Sequence, residues 1–384
     1  MFKYAVLQNP GHNMVYFNSS GKLAKNELSA LFSDNPNAVT EIKEELFGGV
    51  EYITFSSENT LSEEDIILLS RLSFVYAVFE VGSGFHARPL PYNIHARPLP
   101  YNIHARPLPH NIVDSRCGME AAPYNYLIPV TKNHSYFFND DLNMILKYSG
   151  KTNEIFTRMM INLAVFASGF KDKFLDNLNL LDPVCGKGTT VFDGLICGYN
   201  SYGIDISDKL INESSQFLKK YLETGKYKHS LREEKISGIG CENKAFKSQR
   251  HLFDIAKNKS DQKENKNLIC EFIDGDTRNI NKYYKKNTFH IIVGDLPYGI
   301  QHENTTGKDK MRNPVNLIKT SIPVWTEVLK PNGAIVLSWN TFLLKREELE
   351  NIFVENKLEV VDFGDFSHRV DQAINRDVIV GLKR

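Results

Sequence analysis

The sequence predicts an α/β fold, a doubly wound and mostly parallel sheet, from three observations. Between Leu178 and Ser207 an apolar run, a glycine turn, an apolar-periodic helix and a second apolar segment ending in Asp205 follow one another. Strands then keep alternating with helices, and four strand ends carry acids: Asp182, Asp205, Asp274-Gly275-Asp276 and Asp295. The last two apolar segments, Leu358 to Phe363 and Arg376 to Leu382, close the chain as a hairpin. In such a sheet ligands lie at the carboxyl ends of the strands, the edge that all four acids share.

A smaller α/β module precedes this sheet. Strands are expected at Phe2 to Leu7, Glu51 to Phe55 and Phe74 to Val81. A helix from Lys22 to Phe32 is capped by Ser19-Ser20, and another starts at Ser62-Glu63-Glu64, a cap followed by first-turn acids. Residues 1–82 form this module, residues 83–113 a proline-rich loop, and residues 114–384 the main domain. The loop holds HARPLPYNI at His86, again at His95, and as HARPLPHNI at His104. Two prolines in every nine residues forbid regular helix and central strand, which predicts an exposed polyproline-like loop. It reads as a tolerated duplication, or as a basic arm that touches phosphate.

Bulk composition narrows the function classes. At 384 residues the chain can bury a sizeable core, and 42% hydrophobic residues describe an ordinary globular protein. Lys+Arg and Asp+Glu are both 46, so no global field selects nucleic acid or membrane. The five cysteines, Cys117, Cys185, Cys197, Cys241 and Cys270, show no C-x-x-C spacing, which argues against disulfides and a metal site and suits the cytoplasm. No run of about 18 apolar residues suggests a membrane span. The oligomeric state is not legible.

The remaining elements follow in order. Asn139-Asp140-Asp141 starts a short helix, and Thr152 caps the helix TNEIFTRMMINLAVFAS, whose Thr152-Asn153-Glu154 start and Arg158 read as a cap with solvated charges or as ligand contacts. A helix from Lys209 to Leu222 follows Asp205. Lys226 to Asn267 is a polar segment with eleven Lys/Arg against six Asp/Glu, a candidate surface for a nucleic-acid backbone or simply a solvated run. Strands at Leu268 to Ile273, Phe289 to Val293 and Ala334 to Ser338 enclose a helix at Pro314 to Leu329.

At the glycine turn the choice of ligand narrows. A dinucleotide turn needs a third glycine where Val191 stands. A phosphate-binding loop needs G-x-x-x-x-G-K-[ST], and neither Gly186-Lys187-Gly188 nor Gly150-Lys151-Thr152, with Ile145 in the first position, supplies it. Asp182-Pro183-x-x-Gly186-x-Gly188-Thr189 resembles instead the first motif of class I S-adenosyl-L-methionine (SAM) methyltransferases, where the turn cradles the amino-acid end of the cofactor. Asp205, at its strand tip, is placed to accept both hydroxyls of a ribose.

Asp295-Leu296-Pro297-Tyr298 resembles the [Asn/Asp/Ser]-Pro-Pro-[Tyr/Phe] motif of methyltransferases that act on exocyclic amino groups of bases. Such an amine has its lone pair delocalised into the ring and is a poor nucleophile. Two acceptors gripping its N–H hydrogens make the nitrogen more tetrahedral and aim the lone pair at the sulfonium methyl. Asp295 supplies one acceptor, and in that family the next carbonyl, here that of Leu296, supplies the other. Pro297 biases Leu296 toward extended backbone, and Tyr298 offers a stacking face for a base.

Over about residues 150–384 the chain resembles the RNA methylase family that includes tRNA guanosine 2-amino methyltransferases, through DPVCGKGT, GIDIS, the Asp276 region and DLPYG. The N-terminal module is similar to the front of those enzymes through KLAKNELSALF and LSRLSFVYAVFEV. The resemblance implies a Rossmann-like, seven-stranded class I sheet with a terminal antiparallel hairpin. It also implies SAM contacts at Asp182, Pro183, Cys185, Gly186, Gly188, Thr189, Asp205 and Ile206, an adenine-side contact at Asp276, and catalysis at Asp295, Leu296, Pro297 and Tyr298. His302, Arg369 and Asp371 read as surface polar residues or target contacts. The expected function is SAM-dependent methylation of a base amino group in RNA, guanosine in tRNA foremost. The alternatives are a DNA adenine-N6 or cytosine-N4 methylase and a non-catalytic RNA-binding protein that keeps the fold.

Overall fold

The computed structural model of the chain describes residues 1–9, 14–34, 38–84, 124–131, 136–145, 151–297 and 314–384. The HARPLPYNI repeat, Cys117, Gly150, Tyr298 and His302 lie outside the described residues.

The N-terminal unit comprises β1 (Phe2–Gln8), α1 (Met14–Leu31), β2 (Thr40–Phe47), β3 (Val50–Ser57), α2 (Glu63–Leu69), β4 (Val75–Gly84) and β5 (Tyr124–Pro129). Its sheet is antiparallel, in the order β2-β3-β1-β4-β5. β5 falls inside the stretch 114–384, so this sheet draws on chain from both sides of the repeat and the expected boundary at residue 82 is crossed. β2 is an edge strand missed in the sequence, because Thr-Glu-Ile-Lys-Glu-Glu-Leu-Phe alternates too weakly to signal one buried face. Ser62 caps α2 in a reciprocal capping box with Asp65, as the sequence predicts. α1 begins at Met14, so Ser19, Ser20 and Gly21 sit inside it rather than capping it. A Cβ at Gly21 would stand 2.5 Å from the Glu44 carboxylate, so the glycine admits β2, and burial of Leu23, Ala24, Leu28 and Leu31 overrides the local propensity.

The larger unit runs α3 (Asp141–Met144), α4 (Glu154–Ala167), β6 (Asn179–Asp182), α5 (Thr189–Cys197), β7 (Asn200–Asp205), α6 (Asp208–Thr224), β8 (Lys228–Ile239), β9 (Ala245–Ala256), α7 (Lys259–Lys263), β10 (Leu268–Asp274), α8 (Ile280–Tyr283), β11 (Phe289–Asp295), α9 (Pro314–Val328), β12 (Leu329–Asn340), α10 (Arg346–Glu355), β13 (Leu358–Val361), β14 (His368–Arg369) and β15 (Asn375–Lys383). Its strand order is β13-β15-β12-β11-β6-β7-β10-β9-β8, with β14 beside β15. The five strands from β12 to β10 are parallel, and β15 enters antiparallel between β12 and β13. Seven of these strands make the expected sheet. The polar segment Lys226 to Asn267 adds the antiparallel hairpin β8–β9 beyond it, where a charged loop or surface was expected. Its strands escaped notice because β8 is largely exposed and its sequence shows no buried apolar face.

α4 joins the two units. Phe156, Met160, Leu163 and Ala164 are buried in one apolar cluster with Leu28 and Val78 on one side and Val293 and Val336 on the other. At this junction the buried Glu27 carboxylate accepts from the Ser73 N–H and hydroxyl and from the Asn162 amide. Because the chain order reverses between β6 and β11, the crevice of a doubly wound sheet opens at their carboxyl ends.

Candidate active site

The first wall of this crevice is backbone. After β6 the chain turns through Gly186 and Gly188, with φ of +52° and +85°, values that side-chain-bearing residues rarely adopt. A Cβ on Gly188 would press on the Phe272 ring at 3.1 Å, whereas one on Gly186 would meet nothing within 4 Å. The Asp205 carboxylate ties the turn to β7 by accepting the Gly186 N–H at 2.9 Å and the Ser207 N–H at 2.9 Å. Gly203 lets the turn pack, since a Cβ there would stand 2.8 Å from Cys185 Sγ. Asp182 is buried and accepts the Val184 N–H. Burial pushes its carboxyl up to about 7, against its bonds to Val184 and Thr190 and with added repulsion from Asp295 and Asp205. Thr189 opens α5, and Ile206 is 78% exposed despite its apolar side chain.

The second wall is made of side chains. Asp295 ends β11 opposite Ser338 of β12. Its Oδ1 accepts the Ser338 hydroxyl and its Oδ2 the Thr152 hydroxyl, and Arg376 Nη2 lies 3.5 Å from Oδ2. The Leu296 N–H donates to the Ser338 carbonyl at 2.9 Å, and the Leu296 side chain is buried while Pro297 is exposed. The Arg376 guanidinium stands over the Phe156 ring at 4.9 Å, and His368 packs on the same ring. Burial holds the His368 imidazole down at about 4, with the Arg376 charge adding to the effect, so it is neutral near pH 7.

Residues 168–359 match the family model described as RMKL-like, methyltransferase domain, half of the chain. The chain belongs to the RMKL-like methyltransferase family. It is therefore an enzyme, a methyltransferase whose methyl donor is SAM. Among solved structures it is similar to TrmN from Thermus thermophilus, 12% identical over 100% of this chain and 99% of that one, TM-score 0.41. It is similar also to magnesium protoporphyrin IX methyltransferase (ChlM) from Synechocystis with bound SAM, 13% identical over 62% and 87%, TM-score 0.34. A third is a TehB-like SAM-dependent methyltransferase from Corynebacterium glutamicum, 12% identical over 56% and 85%, TM-score 0.31. No curated protein matches the sequence.

In this RMKL-like methyltransferase the glycine turn fits an amino-acid ligand: its Gly186 face is open, and the Asp182 carboxylate ends the strand that leads into it. The sheet brings Asp182, Pro183, Cys185, Gly186, Gly188, Thr189, Asp205, Ile206, Asp295, Leu296 and Pro297 to one edge. Asp276 reaches that edge too, but Arg278 forks its carboxylate, Nη2 at 2.6 Å, and the tip of the β8–β9 hairpin leans on the same segment through Cys241 N–H to Asn279 at 2.6 Å. Cys185 is buried, and burial pushes its thiol well up, which makes it packing rather than nucleophile. Arg158 is not a solvated charge: it pairs with buried Asp193 and with Asp140. Asn153, not Thr152, caps α4, accepting from the Ile155 and Phe156 N–H groups, which frees the Thr152 hydroxyl to reach Asp295. Ser338 and Arg376 were missed altogether. The available signal was Arg376-Asp377 opening an otherwise apolar central strand, since buried charges require partners. No helix is long and apolar enough to cross a membrane, and no cluster of three metal ligands occurs, among the described residues.

Proposed function

We propose that the protein methylates an exocyclic amino group of a base in RNA, guanosine in tRNA being the substrate the motif favours. The observation that carries this reading is Asp295 held at the tip of β11, beside the strand β6 that leads into the glycine turn. When bound, SAM supplies an activated methyl on a sulfonium. Asp182 and the turn from Gly186 to Thr189 would hold its amino-acid end, Asp205 its ribose, and Ile206 and Asp276 would flank its adenine. Pro183 and Cys185 shape the turn from behind.

Asp295 accepts one N–H of the target amine and the Leu296 carbonyl accepts the other, so the nitrogen lone pair is turned out of the ring plane. Pro297 restricts the Leu296 backbone, and Tyr298 stacks on the base. Rate comes mainly from aligning an in-line displacement; the amine's spare proton leaves to solvent or to Asp295 after transfer.

The test is methyl transfer from tritiated SAM to bulk tRNA and to DNA, followed by mass spectrometry of nucleosides. Label entering a guanosine 2-amino group of tRNA is expected, with Asp295→Ala lowering the rate by about 10³-fold, within the range for a positioned acceptor. Label in DNA alone, or an Asp295→Ala variant at full rate, overturns the reading.

A further inference from the structure

We infer that Thr152, Ser338 and Arg376 are positioning residues that aim the Asp295 carboxylate, and that Ser338 also anchors the peptide joining Asp295 to Leu296. The inference rests on the amine-gripping role proposed for Asp295 and Leu296. The last torsion of an aspartate is broad and nearly two-fold, so a carboxylate at a strand tip does not hold one plane by itself. Here its oxygens are engaged from three different elements. Ser338 of β12 donates to Oδ1, Thr152 at the start of α4 donates to Oδ2, and Arg376 of β15 faces Oδ2 at 3.5 Å. Three anchors that do not share an element fix both the position and the tilt of the carboxylate plane.

Arg376 is itself held rigidly. Its side chain is 4% exposed, its strand pairs with Asn340 of β12 and with His368, and Phe156 lies under its guanidinium. A buried arginine costs stability that a well-packed apolar side chain would not. Its placement beside the proposed amine acceptor gives that cost a catalytic purpose.

Leu296 stands where the related motif has proline. Proline has no N–H, whereas the Leu296 N–H bonds the Ser338 carbonyl at 2.9 Å. Ser338 thus grips both residues, Asp295 by its hydroxyl and Leu296 by its carbonyl. The departure from proline replaces a ring constraint by a hydrogen bond to the neighbouring strand, which anchors the peptide between Asp295 and Leu296, next to the second acceptor carbonyl.

Thr152→Val and Ser338→Ala remove the hydroxyls with little change in shape; Thr152→Ser restores one, and Arg376→Lys keeps the charge without the fork. With tritiated SAM and tRNA, kcat is expected to fall about tenfold for Thr152→Val or Ser338→Ala and about 10²-fold for the pair, the size of effect that a misplaced reacting group produces. Thr152→Ser stays within about twofold of wild type, KM for tRNA is unchanged, and calorimetric affinity for S-adenosylhomocysteine is unchanged. The inference is overturned if the double variant keeps the wild-type kcat while Asp295→Ala is inactive, or if Thr152→Ser loses as much as Thr152→Val. If Asp295→Ala itself is fully active, it is the proposed function that fails.

Discussion

Asp182 and Asp295 end neighbouring parallel strands, yet their surroundings share almost nothing. Asp182 is 3% exposed and accepts from the Val184 N–H and the Thr190 side chain close by in sequence, and burial raises its carboxyl to about 7. Asp295 meets two hydroxyls and a guanidinium that arrive from 143, 43 and 81 residues away in sequence. The same contrast divides the whole edge. On the β6–β7 side the donors are local, backbone N–H groups shaped by glycines together with the Thr190 side chain, all within residues 182–207. On the β11–β12 side the donors are side chains gathered by the tertiary fold. A site that must hold one unvarying cofactor can be written into a single turn; a site that must aim one reacting atom is built by convergence, because no single element fixes a carboxylate in three directions.

The largest expected separation of the two sides comes from Asp205→Ala. Asp205 locks the Gly186 N–H and is the proposed ribose acceptor, so its loss removes charge-assisted bonds worth about 1.5–3 kcal/mol each. SAM affinity measured by calorimetry should weaken by about 10²-fold, while kcat at saturating SAM stays within about threefold. A fall in kcat matching that of Asp295→Ala would show that the two sides are one mechanical unit.

A smaller effect follows from the pH dependence of the β6 side. The Asp182 carboxyl is raised from its ordinary 3.8 to about 7, so its contribution to folding is full below about 4 and is lost as pH rises toward 7, when a buried charge must form. A ligand with a cationic amino group selects the ionised form. Affinity for SAM should therefore tighten as pH rises from 6 to about 7, by up to roughly tenfold per unit, and level off above. Asp182→Asn should flatten that profile and weaken binding at pH 8. An unsloped profile for the wild type would remove Asp182 from the ammonium contact.

The division also explains what sequence alone made legible. The glycine turn, Asp205 and Asp295 were readable because each belongs to a short motif whose spacing encodes a strand end. The parallel strands were readable from their apolar runs, and each of them lies in the sheet. Thr152 was read as a helix cap because Thr and Asn both cap helices well, and only the fold shows that Asn153 takes the cap. Ser338 carries no local signal, and Arg376 only that of a charge at the start of an apolar strand; what each one faces is settled only when β12, β15 and β11 lie side by side. The β8–β9 hairpin was hidden for a different reason, since an exposed edge strand has little apolar face to betray it.

The smallest effects separate the two glycines of the turn. Both have positive φ, so an alanine at either costs about 1 kcal/mol in backbone strain. Their surroundings differ. At Gly188 a Cβ presses at 3.1 Å on Phe272, which is fully buried against Phe192, so the methyl must displace a core ring. At Gly186 the same methyl meets no protein atom within 4 Å and projects into the space assigned to the cofactor. Gly188→Ala should therefore lower Tm by about 3 °C, on the scale of about 2 °C per kcal/mol for a chain of this size, with a modest loss of SAM affinity. Gly186→Ala should lower Tm less and SAM affinity more. Neither should alter the Thr152 to Asp295 contact or kcat at saturating SAM. The reverse ranking would mean that the open face of the turn is not the face that receives the methyl donor.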